Sequence, residues 1–130
     1  MPDYLLDSTI IIDYLRNKSG VPELLEKFSM EGGLLCCCPV NIVEVYAGMK
    51  DKEKTATDEF LNSLECYDTD REIANLAGEI KRRYSKKGIT LSTPDVLIAA
   101  TAIKKHLILV TTNEKHFPAE DLMIFSCEEK

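Results

Sequence analysis

Short stretches of this chain are apolar without interruption, among them Tyr4-Leu5-Leu6, Leu34 to Cys38 and Leu107 to Val110. A strand with one face in water alternates apolar and polar residues, so unbroken runs of this length describe strands buried on both faces. Helices must then cover both faces, and the intervening sequence supplies them. Asp7-Ser8-Thr9 reads as a cap for a helix over Ile10 to Asn17, with Ile11, Tyr14 and Leu15 at helical spacing. Val21 to Met30 repeats Val21, Leu24, Leu25 and Phe28 on one face and is closed by Gly32-Gly33. Pro39 suits the start of a third helix, with Ile42, Val43, Tyr46 and Met49 on its apolar face, and residues 51 to 63 continue as a charged surface helix. Leu64 to Tyr67 is a weak strand. Asp70 to Lys87 is a long helix with Ile73, Leu76, Ala77, Ile80 and Tyr84 inward and Gly88 as its stop. Thr93-Pro94-Asp95 opens a helix to about Lys105, and Leu122 to Phe125 is the last strand. The alternation predicts an α/β fold, a parallel β-sheet flanked by helices on both faces, with residues 1–130 as a single domain.

The longest apolar runs, Leu34 to Cys38 and Val96 to Ala100, fall far short of the roughly 20 residues that span a bilayer, so no membrane span is expected. The N-terminus lacks the basic segment of a signal peptide, and a cytoplasmic protein is expected. The five cysteines agree: an odd number, three of them contiguous, is no disulfide framework, and they read as buried reduced thiols. No Gly-x-Gly-x-x-Gly or Walker A pattern offers a cradle for a nucleotide phosphate. A net charge of −6 argues against tight sequence-blind binding to nucleic acid. It leaves room for a nucleic-acid substrate met through a divalent cation.

In parallel sheets ligands bind beyond the carboxyl ends of the strands, so residues just after a strand carry the most functional information. Asp7 follows the first run at once, Asp95 is the second residue of a Pro-started helix, and Glu44 sits among apolar neighbours at the edge of the core. Each has an ordinary role open to it: a helix cap, a dipole partner and a solvated helix residue, respectively. Together they would meet at one end of the sheet, where like charges repel unless a cation is bound. Oxygen donors without His or Cys suit Mg²⁺ or Mn²⁺, and such an ion suits phosphodiester hydrolysis.

Four segments then carry a resemblance. Tyr4-Leu5-Leu6-Asp7-Ser8-Thr9-Ile10-Ile11-Ile12-Asp13-Tyr14-Leu15, Asn41-Ile42-Val43-Glu44-Val45-Tyr46-Ala47-Gly48, Pro94-Asp95-Val96-Leu97-Ile98-Ala99-Ala100-Thr101-Ala102 and Leu109-Val110-Thr111-Thr112-Asn113 resemble, in order and spacing, the four blocks of a PIN domain of the VapC toxin type. The resemblance implies a metal-dependent ribonuclease acting on RNA, a homodimer, and a cognate antitoxin that holds it inactive. It places Asp7, Glu44 and Asp95 at the acidic positions that hold Mg²⁺ or Mn²⁺, and Thr111 as a hydroxyl that orients an acidic ligand. The fourth position departs from the acidic pattern: Asn113 stands where many relatives have Asp, and His116 where they often place a further Asp or Glu. Asn113 is then a group acting on water or on a ligating carboxylate, or simply the turn after the last buried strand, and His116 a surface or turn residue.

Lys81, Arg82, Arg83, Lys86 and Lys87 gather at the end of one helix. They serve either to complement the helix dipole or to track the phosphates of an RNA. Two other readings remain open at this point. An aspartyl phosphatase also begins with a strand ending in Asp, although Thr9 stands where its second Asp belongs. A non-catalytic binding module would keep the carboxylates as caps or as a dock for a partner's Arg.

Overall fold

The computed structural model describes residues 2–18 and 20–127; Met1, Ser19 and residues 128–130 lie outside them. Five strands, β1 (Tyr4–Leu6), β2 (Leu35–Cys37), β3 (Glu65–Cys66), β4 (Ile108–Thr111) and β5 (Ile124–Ser126), form one sheet in the order β3-β2-β1-β4-β5. Every pairing is parallel, with Leu5 opposite both Cys36 and Leu109. The helices are α1 (Ser8–Leu15), α2 (Val21–Met30), α3 (Pro39–Gly48), α4 (Lys54–Ser63), α5 (Arg71–Lys86) and α6 (Thr93–Lys105). A single 3-10 turn, Asp51–Glu53, precedes α4, so the predicted helix over 51 to 63 is two pieces.

The apolar runs are double-sided, as their composition requires. Tyr4, Leu6, Cys37 and Val110 face a core shared with Ile10 and Ile11 of α1, Leu25 and Phe28 of α2, Val45 of α3 and Leu61 of α4. Leu5, Cys36 and Leu109 point the other way, onto Ile98, Ala99 and Ala102 of α6. The small alanines let α6 lie close to the sheet, and α5 covers its far side through Ile73, Ala77, Ile80 and Tyr84. Two glycines after α2 do different jobs. Gly32 adopts φ 90°, the left-handed conformation that ends the helix. Gly33 makes room: a Cβ there would stand 2.7 Å from the Tyr4 ring, which stacks on Phe28.

Two expectations need correction. The inward side chains of α3 are Asn41 and Val45, with Ile42 and Met49 half-buried, whereas Val43 is 67% exposed and Tyr46 reaches out to Asp58. The buried face of this helix thus contains an amide, so apolar spacing alone mislocates it. The cysteines also divide. Cys36, Cys37 and Cys38 are buried and free, and burial pushes the Cys36 and Cys38 thiols up to about 12 and about 11, so they stay protonated. Cys66, on the short edge strand β3, is exposed, and Cys127 is half-buried. Among the described residues no helix is long and apolar enough to cross a membrane.

Candidate active site

From β1 the chain turns one way to β2 and later returns to β4 on β1's other side. The sheet order therefore reverses between β1 and β4, and it is beyond the carboxyl ends at such a reversal that the ligand crevice of a parallel sheet lies. Asp7 directly follows β1 and Thr111 ends β4, and both are buried. The Thr111 hydroxyl donates to Asp7 Oδ2 at 2.7 Å, across 104 residues of sequence. Asp7 also caps α1: its Oδ1 accepts from the Ser8 backbone N–H at 2.8 Å. The cap uses Oδ1 and the bond from Thr111 uses Oδ2, so the cap leaves Oδ2 to a partner across the sheet.

Asp7 is only 6% exposed. Burial raises its carboxyl above the usual range, the hydrogen bonds from Thr111 and Ser8 oppose the rise, and the charges of Asp95 and Glu44 add to it. The structure thus brings Glu44 and Asp95 within electrostatic reach of Asp7. Glu44 Oε1 accepts from the Ser8 hydroxyl at 2.7 Å, whereas Asp95 Oδ2 lies 3.7 Å from His116 Nδ1, beyond hydrogen-bond distance. Among the described residues no three His, Cys, Asp or Glu side chains close around a point as they would around an ion. The donor set itself, three carboxylates with hydroxyls between them, is that of a hard divalent cation.

A family model described as the PIN domain matches residues 4–120. The chain belongs to the PIN-domain family. Ribonuclease VapC19 of Mycobacterium tuberculosis is 32% identical over 114 residues, covering 88% of this chain and 91% of that protein. Ribonuclease VapC2 of Haemophilus influenzae is 30% identical over 122 residues, covering 90% and 91%. Among solved structures, VapBC2 from Rickettsia felis bound to a DNA fragment from its promoter superposes with a TM-score of 0.85 at 23% identity, covering 96% of this chain and 98% of that one. At that identity the likeness speaks for the fold.

In this PIN domain Asn113 adjoins Thr111, His116 adjoins Asp95, and the basic stretch ends the helix packed against that of Asp95. Asn113 engages through its backbone, its N–H donating to Thr111 Oγ1 at 2.9 Å and so leaving the Thr111 proton to Asp7. His116 lies in a 3-10 turn and is 61% exposed by its side chain, as a surface residue should be, yet it borders Asp95. The basic stretch is mostly solvent-facing, but Lys81 donates to the Leu91 carbonyl in the loop that enters α6, one residue before the Ser92 cap of that helix. Asp95 is in the first turn of the same helix, with its backbone N–H on Ser92 Oγ at 3.2 Å. Arg82 pairs with Glu79 at 3.7 Å, and the Lys87 ammonium sits 5.0 Å over the Tyr84 ring.

Two residues of the crevice are not found by reading the sequence: Ser8, which contacts both Asp7 and Glu44, and Asn41, which donates to Ser8 Oγ at 3.0 Å. Ser8 reads as part of a helix cap. The one signal for Asn41 is its place three residues before Glu44, on nearly the same side of the helix.

Proposed function

We propose that this PIN domain is a metal-dependent endoribonuclease, the toxin of a toxin-antitoxin pair. The observation that supports this most is the gathering of Asp7, Glu44 and Asp95 at the crevice between β1 and β4, with a buried carboxylate at its centre. Asp7, Glu44 and Asp95 would hold Mg²⁺ or Mn²⁺, which when bound activates water and offsets charge on the phosphoryl oxygen. Thr111 fixes Asp7, and Asn113 fixes Thr111 through its backbone. Lys81, Arg82, Arg83, Lys86 and Lys87 form the phosphate-tracking approach for RNA, their end of α5 being tied to the Asp95 helix by the Lys81 bond. The relatives named as VapC ribonucleases, and the VapBC complexes among the solved structures, support the activity and a cognate antitoxin partner. An antitoxin Arg or Lys paired with the carboxylates would block the crevice by charge-assisted hydrogen bonds. A homodimer completes the reading.

The test is cleavage of RNA by the purified chain with Mg²⁺ or Mn²⁺, with EDTA and with Asp95→Asn as controls. Ion-dependent cleavage lost in Asp95→Asn is the expected result. Asp7 acting as a cap favours one rival, a non-catalytic binding module. Melting temperature separates the two, since a cation that binds only the folded chain raises it and a bare module gains nothing. Sedimentation at micromolar concentration checks the dimer.

A further inference from the structure

The hydrogen bonds behind Glu44 have a direction that can be worked out. The Cys38 backbone N–H can only donate, and it donates to Asn41 Oδ1 at 2.9 Å, so the carbonyl end of the Asn41 amide faces Cys38. The Cys38 thiol lies 3.3 Å from the same oxygen. The amino end must then face Ser8, and an amino group only donates. Ser8 Oγ therefore accepts from Asn41, and its one proton goes to Glu44 Oε1 at 2.7 Å. At the same time the Ser8 backbone N–H donates to Asp7 Oδ1. One small residue thus grips both carboxylates, one through the main chain and one through the side chain. Asn41 has no exposed surface, so water does not compete for its bonds. Its carbonyl is half of the capping box that starts α3, and Glu44 belongs to that helix. The start of α3 and the setting of Glu44 therefore depend on one amide.

We propose that Ser8 is a positioning residue that sets Glu44 against Asp7 for the divalent cation, and that Asn41 acts behind it by directing the Ser8 proton. A mere capping role needs only the Asn41 carbonyl; the link onward to Ser8 and Glu44 adds nothing to the cap. The inference rests on the cation reading above and deepens it.

The test is calorimetric titration of Mn²⁺ alone into the full chain. Ser8→Ala should weaken Mn²⁺ binding by about 10-fold or more, the scale seen when a group that orients a metal ligand is removed. Ser8→Thr, which keeps the hydroxyl, should restore most of the affinity. In a Glu44→Gln background, where Ser8 has no carboxylate to direct, Ser8→Ala should add little further loss. Should Ser8→Ala fail to fold, Ser8→Cys carries the same test, because a thiol fills the space and donates weakly. Wild-type affinity in Ser8→Ala, or an equal loss in both backgrounds, overturns the proposal. Glu44→Gln binding Mn²⁺ as tightly as the wild type overturns the cation reading and the role of Ser8 with it, so the two failures show in different variants.

Discussion

Asp7 and Asp95 border the same crevice under different conditions. Asp7 lies at the end of a central strand, 6% exposed, and takes bonds from Thr111 and Ser8. Asp95 lies in the first turn of a helix, its side chain 23% exposed and bordered by a His116 that is mostly in solvent. A carboxylate taken out of water must be given donors by the fold, whereas one at the rim can leave that to water. The sheet side of the site is therefore supplied with donors by the fold, and the helix side is left partly to water. Preorganised donors are the more effective kind where charge must be held in one place.

The largest effect should fall equally on both sides. Asp7→Asn and Asp95→Asn should each lower RNA cleavage by roughly 10³-fold or more, since an ion contributes several kcal/mol to such chemistry. Their stabilities should part company. The Asp7 carboxyl is raised above its ordinary value, so the folded state holds its proton more tightly than the unfolded state. Stability from this group is then greatest at low pH and is lost as pH rises from the unfolded value of 3.8 through the folded one. Asp7→Asn should therefore lose that pH slope in its melting temperature without metal, while Asp95→Asn keeps it and changes melting little. Equal melting curves for the two variants would erase the contrast.

Next in size, Thr111→Ala removes a donor from the buried carboxylate. It should weaken Mn²⁺ binding by about 10- to 100-fold. It should also cost about 1.5–3 kcal/mol of stability at neutral pH, read by urea unfolding. The corresponding change at the rim, His116→Ala, should alter either quantity only slightly.

Smaller still is the effect of neutralising Lys81, Arg82, Arg83, Lys86 and Lys87 together. Cleavage chemistry should survive, while RNA binding weakens and its logarithmic salt slope flattens by about 0.7 for each phosphate that no longer meets a cation. An unchanged slope would return the stretch to the helix-end role. The least change is expected from Asn113→Asp, which should tighten Mn²⁺ binding a few-fold by adding an anion near the cation. No change on titration would leave Asn113 as the turn residue whose backbone serves Thr111.

How far the sequence discloses this arrangement depends on where each residue sits. β1, β2 and β4 are legible because both their faces are buried, which keeps their runs apolar up to Thr111 at the end of β4. The edge strands are faint for the opposite reason: Glu65 and Cys66 of β3, and Phe125 and Ser126 of β5, meet solvent and obey no pattern. Asp7, Glu44 and Asp95 are visible through their places after a strand or along a helix. The face of α3 is not, because the residue buried there is an amide and the apolar Val43 points outward. Hydropathy assigns Asn41 to water, and only its partners, Cys38 and Ser8, explain why it is inside. Ser8 is hidden in another way, since its hydroxyl serves a residue 36 positions away.

The first strand of the chain is the middle strand of the sheet, and this sets an order of assembly. Glu44 can reach Ser8 once α3 exists, but Thr111 is 104 residues beyond the aspartate it serves. A chain still emerging from the ribosome holds Asp7 and Glu44 long before the hydroxyl that steadies the first of them. Until β4 docks beside β1, Asp7 lacks that partner, and the crevice itself has only one wall. Long-range closure of this kind is slow compared with helix formation. The surroundings of Asp7 are thus among the last features to form, and a product truncated before β4 carries the acidic residues without Thr111.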